Sequence, residues 1–180
     1  MFAALSTNAD FFRPKMKGAF LIAPVSRVEN MLSPLARQLK DSKEAFDAFK
    51  AMGPEIMTAP AAVDLIDQVK GQMTEKLNNA VAAASSDGCP ENISKIGKSN
   101  GDKFFPAGSC FRQIHHFHQL LHEGGFRKFR FETSEENMKA YGQLDPPEYE
   151  LNKIEGFCIR LIAGSKDLMA SPDDYNWLKD

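Results

Sequence analysis

Asp167 is the residue best placed in this sequence to do chemistry. It follows an apolar run, Phe157 to Ala163, and is delivered by the turn Gly164-Ser165-Lys166. Open α/β sheets gather functional groups at the carboxyl ends of their strands. An acid delivered in this way can serve in a Ser-His-Asp triad, where it holds the histidine in one tautomer and stabilises its charge during acyl transfer. On one widespread scaffold that triad runs in the order Ser, Asp, His, with the serine on a sharp Gly-x-Ser-x-Gly turn. Gly-x-Cys-x-Gly is absent, the one Gly-x-Ser-x-Gly, Gly97-Lys98-Ser99-Asn100-Gly101, falls in the polar stretch Ser85 to Asp102 rather than after an apolar strand, and all four histidines (His115, His116, His118, His122) precede Asp167. Taken alone, an aspartate after a strand is an ordinary turn residue. The acids that follow have a local explanation: Ser171-Pro172-Asp173-Asp174 reads as a helix cap, a proline at the first helical position and carboxylates favoured by the helix dipole.

Other groups that carry chemistry have plainer readings. His115, His118 and His122 fall on one helical face, but the His-Glu-x-x-His pattern of a zinc protease is absent, and a solvated or partly packed face is expected with no metal. Cys110, near a helix start, is a small packing residue before it is a nucleophile. Cys89, Cys110 and Cys158 cannot all pair; they read as thiols, Cys158 buried in a strand. Arg127, Lys128 and Arg130 alternate with Phe126, Phe129 and Phe131, a pattern that can stack bases or touch anionic lipid. An extended segment with alternating faces is the better explanation, given the acidic stretch Glu132 to Glu136 that follows. A net charge of −2 and a pI near 6.1 argue against a nucleic-acid partner. No apolar run approaches the roughly 20 residues that span a bilayer. Met1 to Asn8 lacks the basic and long apolar regions of a signal peptide.

The elements that must position Asp167 are legible as two apolar runs far apart. Gly18 to Val25, closed by Pro24, and Phe157 to Ala163 read as parallel strands buried on both faces. A parallel pair needs a crossover, and here it exceeds 100 residues, which points to an inserted subdomain. Ala3 to Phe12 reads as the end of a helix, stopped by Pro14. Within the insertion, Pro34 to Phe49 and the stripe Ala62, Ile66, Val69, Met73, Leu77 read as helical, and Ser85 to Asp102 as an exposed loop. That loop holds the sequon Asn92-Ile93-Ser94, meaningful only in a secreted protein. A further helix is expected from a Ser109 cap through Ile114, Phe117 and Leu121 to Gly124-Gly125.

From Pro106 to Asp174 the sequence resembles the acid lipase family, the α/β-hydrolases that include lysosomal acid lipase and gastric lipase. The resemblance rests on Pro106-Ala107-Gly108-Ser109, Gln113 to Gln119, Phe126-Arg127-Lys128-Phe129, Asn137 to Gln143, Pro146-Pro147-Glu148-Tyr149 and Gly164 to Asp174. Upstream, Leu5-Ser6-Thr7-Asn8 and Ile22-Ala23-Pro24-Val25 look like the helix and strand that follow the family's nucleophile turn, and Arg130 stands where the family commonly has Asp. The resemblance implies a partial α/β-hydrolase fold: hydrolase core in 1–25 and 151–180, a mostly helical cap or lid in 26–150. It implies that Asp167 is the triad acid, with the serine before Met1 and the histidine after Asp180, in an ester hydrolase acting on acylglycerols or sterol esters and needing no cofactor. His116 matches a family histidine with a packing role in the cap. The cap would contact lipid surfaces transiently, and the compartment would be secreted or lysosome-like. The alternative is a short non-catalytic relative that serves as a binding or regulatory module.

Overall fold

The computed structural model describes residues 1–51, 53–56, 94 and 108–180. They fall into two compact units, Met1–Met31 with Gln119–Asp180, and Leu32–His118. The stripe from Ala62 to Leu77, Cys89 and Asn92 lie outside the described residues.

In the first unit the apolar runs form the expected pair. Strand β1, Gly18–Ile22, lies parallel to β4, Cys158–Ile162, with Gly18 opposite Cys158 and Ile22 opposite Ile162. The ladder continues one step, Ala23 N donating to Ile162 O at 2.7 Å. Ala23 itself sits at φ 48°, in the left-handed region disfavoured for a residue with a Cβ. At the other end the strands approach so closely that a Cβ on Gly18 would stand 2.7 Å from the Cys158 carbonyl oxygen.

Burial departs from expectation. Both strands alternate between exposed and half-buried residues, and Phe20 and Ile22 are each 77% exposed. Cys158, expected in the core, is exposed for the same reason. Among the described residues each strand has one partner, so Gly18, Phe20, Ile22, Cys158, Arg160 and Ile162 share a face that nothing covers. The core sits elsewhere in the unit. Helix α1, Phe2–Thr7, buries Phe2 and Leu5 and packs on the 3-10 turn Leu151–Lys153. The expected single helix from Ala3 to Phe12 is broken at Asn8 (φ −140°, ψ 44°), and a separate turn, α2, Ala9–Phe12, follows.

In the second unit, the helical stretch expected from Pro34 is two helices, α3 Pro34–Asp41 and α4 Lys43–Ala51. Ser42 separates them because its Oγ accepts from Ala45 N at 3.1 Å, an N-cap that restarts the helix. A two-residue antiparallel pair, β2 Glu55–Ile56 with β3 Ser109–Cys110, leads into α5, Phe111–Glu123. Ser109 therefore belongs to a strand rather than to the helix cap, and its Oγ donates to Gln113 Oε1. The boundary between the units falls within α5. The helix ends as the two glycines require, Gly124 and Gly125 both at positive φ.

The last part of the first unit holds α6, Ser134–Tyr141, and α7, Pro172–Lys179. α6 carries a complete capping box between Thr133 and Glu136 and ends on Gly142 at φ 73°. α7 starts as expected, with Ser171 as cap and proline in its first turn.

Candidate active-site acid

Asp167 stands five residues beyond the end of β4, at the carboxyl edge of the parallel pair. The turn closes through Asp167 N donating to Gly164 O at 3.3 Å. The side chain then turns forward: Oδ1 accepts from Met169 N at 2.8 Å and from Ala170 N at 2.9 Å. Two amide dipoles on one oxygen fix the plane of the carboxylate. Among the described residues no donor takes Oδ2, so that oxygen is available to orient an imidazole N–H. The residue is half-buried, partly shielded but within reach of a partner.

The segment that supplies those amides is itself held tightly. Ala170 and Ser171 are 2% exposed, and Asp174, one turn into α7, is 3% exposed. Ser171 Oγ accepts from Asp174 N at 3.3 Å and donates to Asp174 Oδ2 at 3.2 Å. Asp174 also accepts from Asn30 N at 3.1 Å and from Asn30 Nδ2 at 2.9 Å, and Arg27 Nε lies 3.4 Å from its Oδ1. Arg27 in turn pairs with Glu29 at 2.8 Å and lies over the Trp177 ring. Helix initiation thus accounts for only part of what Asp174 does. The sequence holds no local sign of the rest, because Asn30 is 144 residues away.

The other candidates resolve into packing. All four histidines lie on α5. His118 packs against Phe46 at 4.2 Å between ring centroids, and His115 against Phe46 and Phe111 at 5.3 and 5.7 Å. Cys110 is exposed in β3. The basic and aromatic segment 126–131 is half-buried throughout rather than alternating. Its charges are paired within the unit: Arg127 with Glu148 at 2.8 Å, Arg130 with Glu123 and Asp145, both at 2.8 Å, and Lys128 over the Tyr141 ring.

A scan against protein-family models finds no match. Curated proteins do match, over nearly the whole chain. Lipase lipl-3 of Caenorhabditis elegans is 28% identical across 97% of this chain and 44% of its own length. Lipase 3 of Drosophila melanogaster is 26% identical across 94% and 44%, and the gastric triacylglycerol lipase of Rattus norvegicus 25% across 96% and 44%. The chain is thus similar over nearly its whole length to curated lipases, a gastric triacylglycerol lipase among them. It spans less than half the length of the curated relatives it matches. A small parallel sheet with helices is the kind of scaffold on which loops at the carboxyl edge carry functional groups.

Proposed function

We propose that this chain contributes the triad acid and the cap of a carboxylic ester hydrolase that acts on acylglycerols or sterol esters. The observation that carries the reading is Asp167 itself, hung by one oxygen on two backbone amides at the carboxyl edge of a parallel pair, in a chain whose relatives are lipases. In this reading Oδ2 accepts from a histidine N–H, keeps that ring in the tautomer that takes the serine proton, and stabilises the imidazolium formed as the hydroxyl attacks the ester carbonyl. Segments 1–25 and 151–180 are the hydrolase core, and 26–150 form the cap over an apolar acyl cleft. The compartment, by relation to gastric and lysosomal enzymes, is secreted or lysosomal.

The test has two arms. The 180-residue chain is expected to show no turnover of a short-chain ester, because its one Gly-x-Ser-x-Gly, Gly97 to Gly101, lies in a polar stretch with no apolar strand before it and no histidine follows Asp167. The flanking coding sequence is expected to supply an in-frame Gly-x-Ser-x-Gly upstream and a histidine segment downstream. The product that includes both is expected to hydrolyse a triacylglycerol or sterol ester emulsion, with Asp167→Asn lowering kcat roughly a thousandfold or more. Stop codons on both sides, or hydrolysis indifferent to Asp167→Asn, would remove the reading.

A further inference from the structure

We propose that Asp174 is a positioning residue for Asp167, an inference that rests on the role of Asp167 given above. A capping carboxylate on a surface helix is normally solvated, and its work is done by one bond to the backbone. Asp174 is instead 3% exposed and takes donors from Asn30 N, Asn30 Nδ2 and Ser171 Oγ, with the Arg27 guanidinium beside it. Burying an ionised carboxylate is unfavourable unless hydrogen bonds and charge offset it. Asn30 and Arg27 come from the segment that follows β1, and the carboxylate belongs to the helix that follows the Asp167 turn. The pair therefore ties together the two stretches of chain that leave the carboxyl ends of the parallel strands.

The consequence reaches Asp167 through three residues. Met169 and Ala170, whose amides hold Oδ1, lie between the Asp167 turn and Ser171. Ser171 is fixed by its two-way bonding with Asp174. With Asp174 locked to Asn30, the two amides cannot drift, and the direction of Oδ2 is set. Released, the same amides would follow α7, and the carboxylate would turn with them.

Amide hydrogen exchange on the 180-residue chain tests this directly. Asp174→Asn keeps the shape but removes an acceptor from Asn30. Exchange at Met169 and Ala170 is expected to rise at least about tenfold relative to Ile159–Ile162 in β4, the size of a lost hydrogen bond to a charged group. Asn30→Ala, which removes one donor and leaves the cap intact, is expected to act in the same direction and reads the effect if Asp174→Asn fails to fold. Asp173→Asn, at the exposed neighbouring acid, is expected to change neither. Equal acceleration of the β4 amides and those of Met169 and Ala170 would mean general destabilisation and overturn the proposal, as would no acceleration at all. In the product that hydrolyses ester, Asp174→Asn is expected to lower kcat about tenfold at unchanged KM. Selective loosening of the two amides in an enzyme indifferent to Asp167→Asn would remove the lipase role and leave the structural coupling; dependence on Asp167 without loosening would do the reverse.

Discussion

Arg130 illustrates how neighbours, rather than residue type, decide what a charge does. Its guanidinium forks onto Glu123, Nε to Oε1 at 2.8 Å and Nη2 to Oε2 at 2.9 Å, and reaches Asp145 with Nη1. The hydrogen bonds from Arg130 hold the Glu123 carboxyl below its ordinary 4.5, and Glu123 and Asp145 push the guanidinium further above its usual range. Because Glu123 titrates lower in the folded chain than in the unfolded one, its contribution is complete above 4.5 and is lost as the pH falls through the lower folded value. Arg130→Gln is therefore expected to lower stability by about 1 kcal/mol near neutral pH, a value held down because both side chains remain about a third exposed. The difference from the parent should shrink on acidification below 4.5, as urea midpoints across that range would show. A difference that stayed constant with pH would assign the effect to packing of the Arg130 stem. The two acids of the candidate site make the complementary point about legibility. The turn that delivers Asp167 is local and was readable; the locking of Asp174 to Asn30 joins residues far apart in sequence and left no spacing to find.

At the scale of elements, what was legible is what has a period or a cap. β1 and β4 show as apolar runs, α5 as a stripe closed by two glycines, and α7 as a serine cap with proline. The segment from Phe126 to Phe131 has neither. It is extended, yet among the described residues its backbone pairing is a single bridge, Arg127 opposite Glu148, made by Lys128 N donating to Pro147 O at 3.0 Å and Phe126 O accepting from Tyr149 N at 2.9 Å. Side chains take the place of the ladder. Gln119 accepts from Arg130 N at 2.9 Å and donates to Arg130 O at 2.8 Å, Asn137 accepts from Phe131 N at 3.0 Å, and Tyr141 donates to Phe129 O at 2.8 Å. A chain held this way shows no alternation, which is why the expected two-faced segment is half-buried throughout. Asn137 is 3% exposed and also donates to Thr133 O at 3.0 Å, joining the segment to the cap of α6. Asn137→Leu preserves bulk but strands the Phe131 amide, and is expected to destabilise the chain by about 2 kcal/mol in urea denaturation. Gln119→Leu acts on the adjacent residue of the same segment, so the double variant should lose less than the sum of the two. Strict additivity would show that the two side chains hold independent structures.

For the whole molecule, the open face of the β1–β4 pair outweighs any single contact. Parallel sheets are ordinarily covered on both faces, and two strands alone are seldom stable in water. In this chain Phe20 and Ile22 are 77% exposed and Ile162 50%, and the register sets Ile22 beside Ile162. Clustered apolar side chains on a face with open strand edges favour association with other chains. The 180-residue chain by itself is therefore expected to self-associate at micromolar concentration, seen as a rising mass in light scattering. Phe20→Lys combined with Ile22→Thr is expected to suppress that association without loss of folded structure, because both side chains point away from the half-buried face that Ala19 and Leu21 share. A monodisperse parent with a sharp cooperative melt would sink the prediction. Association that the double variant left unchanged would place the adhesive surface elsewhere. The outcome also bears on Asp167, because β4 determines where its turn begins: a sheet held only by two strands positions the acid less firmly than one whose open face is covered, and the coupling through Asp174 is then the main restraint on the carboxylate.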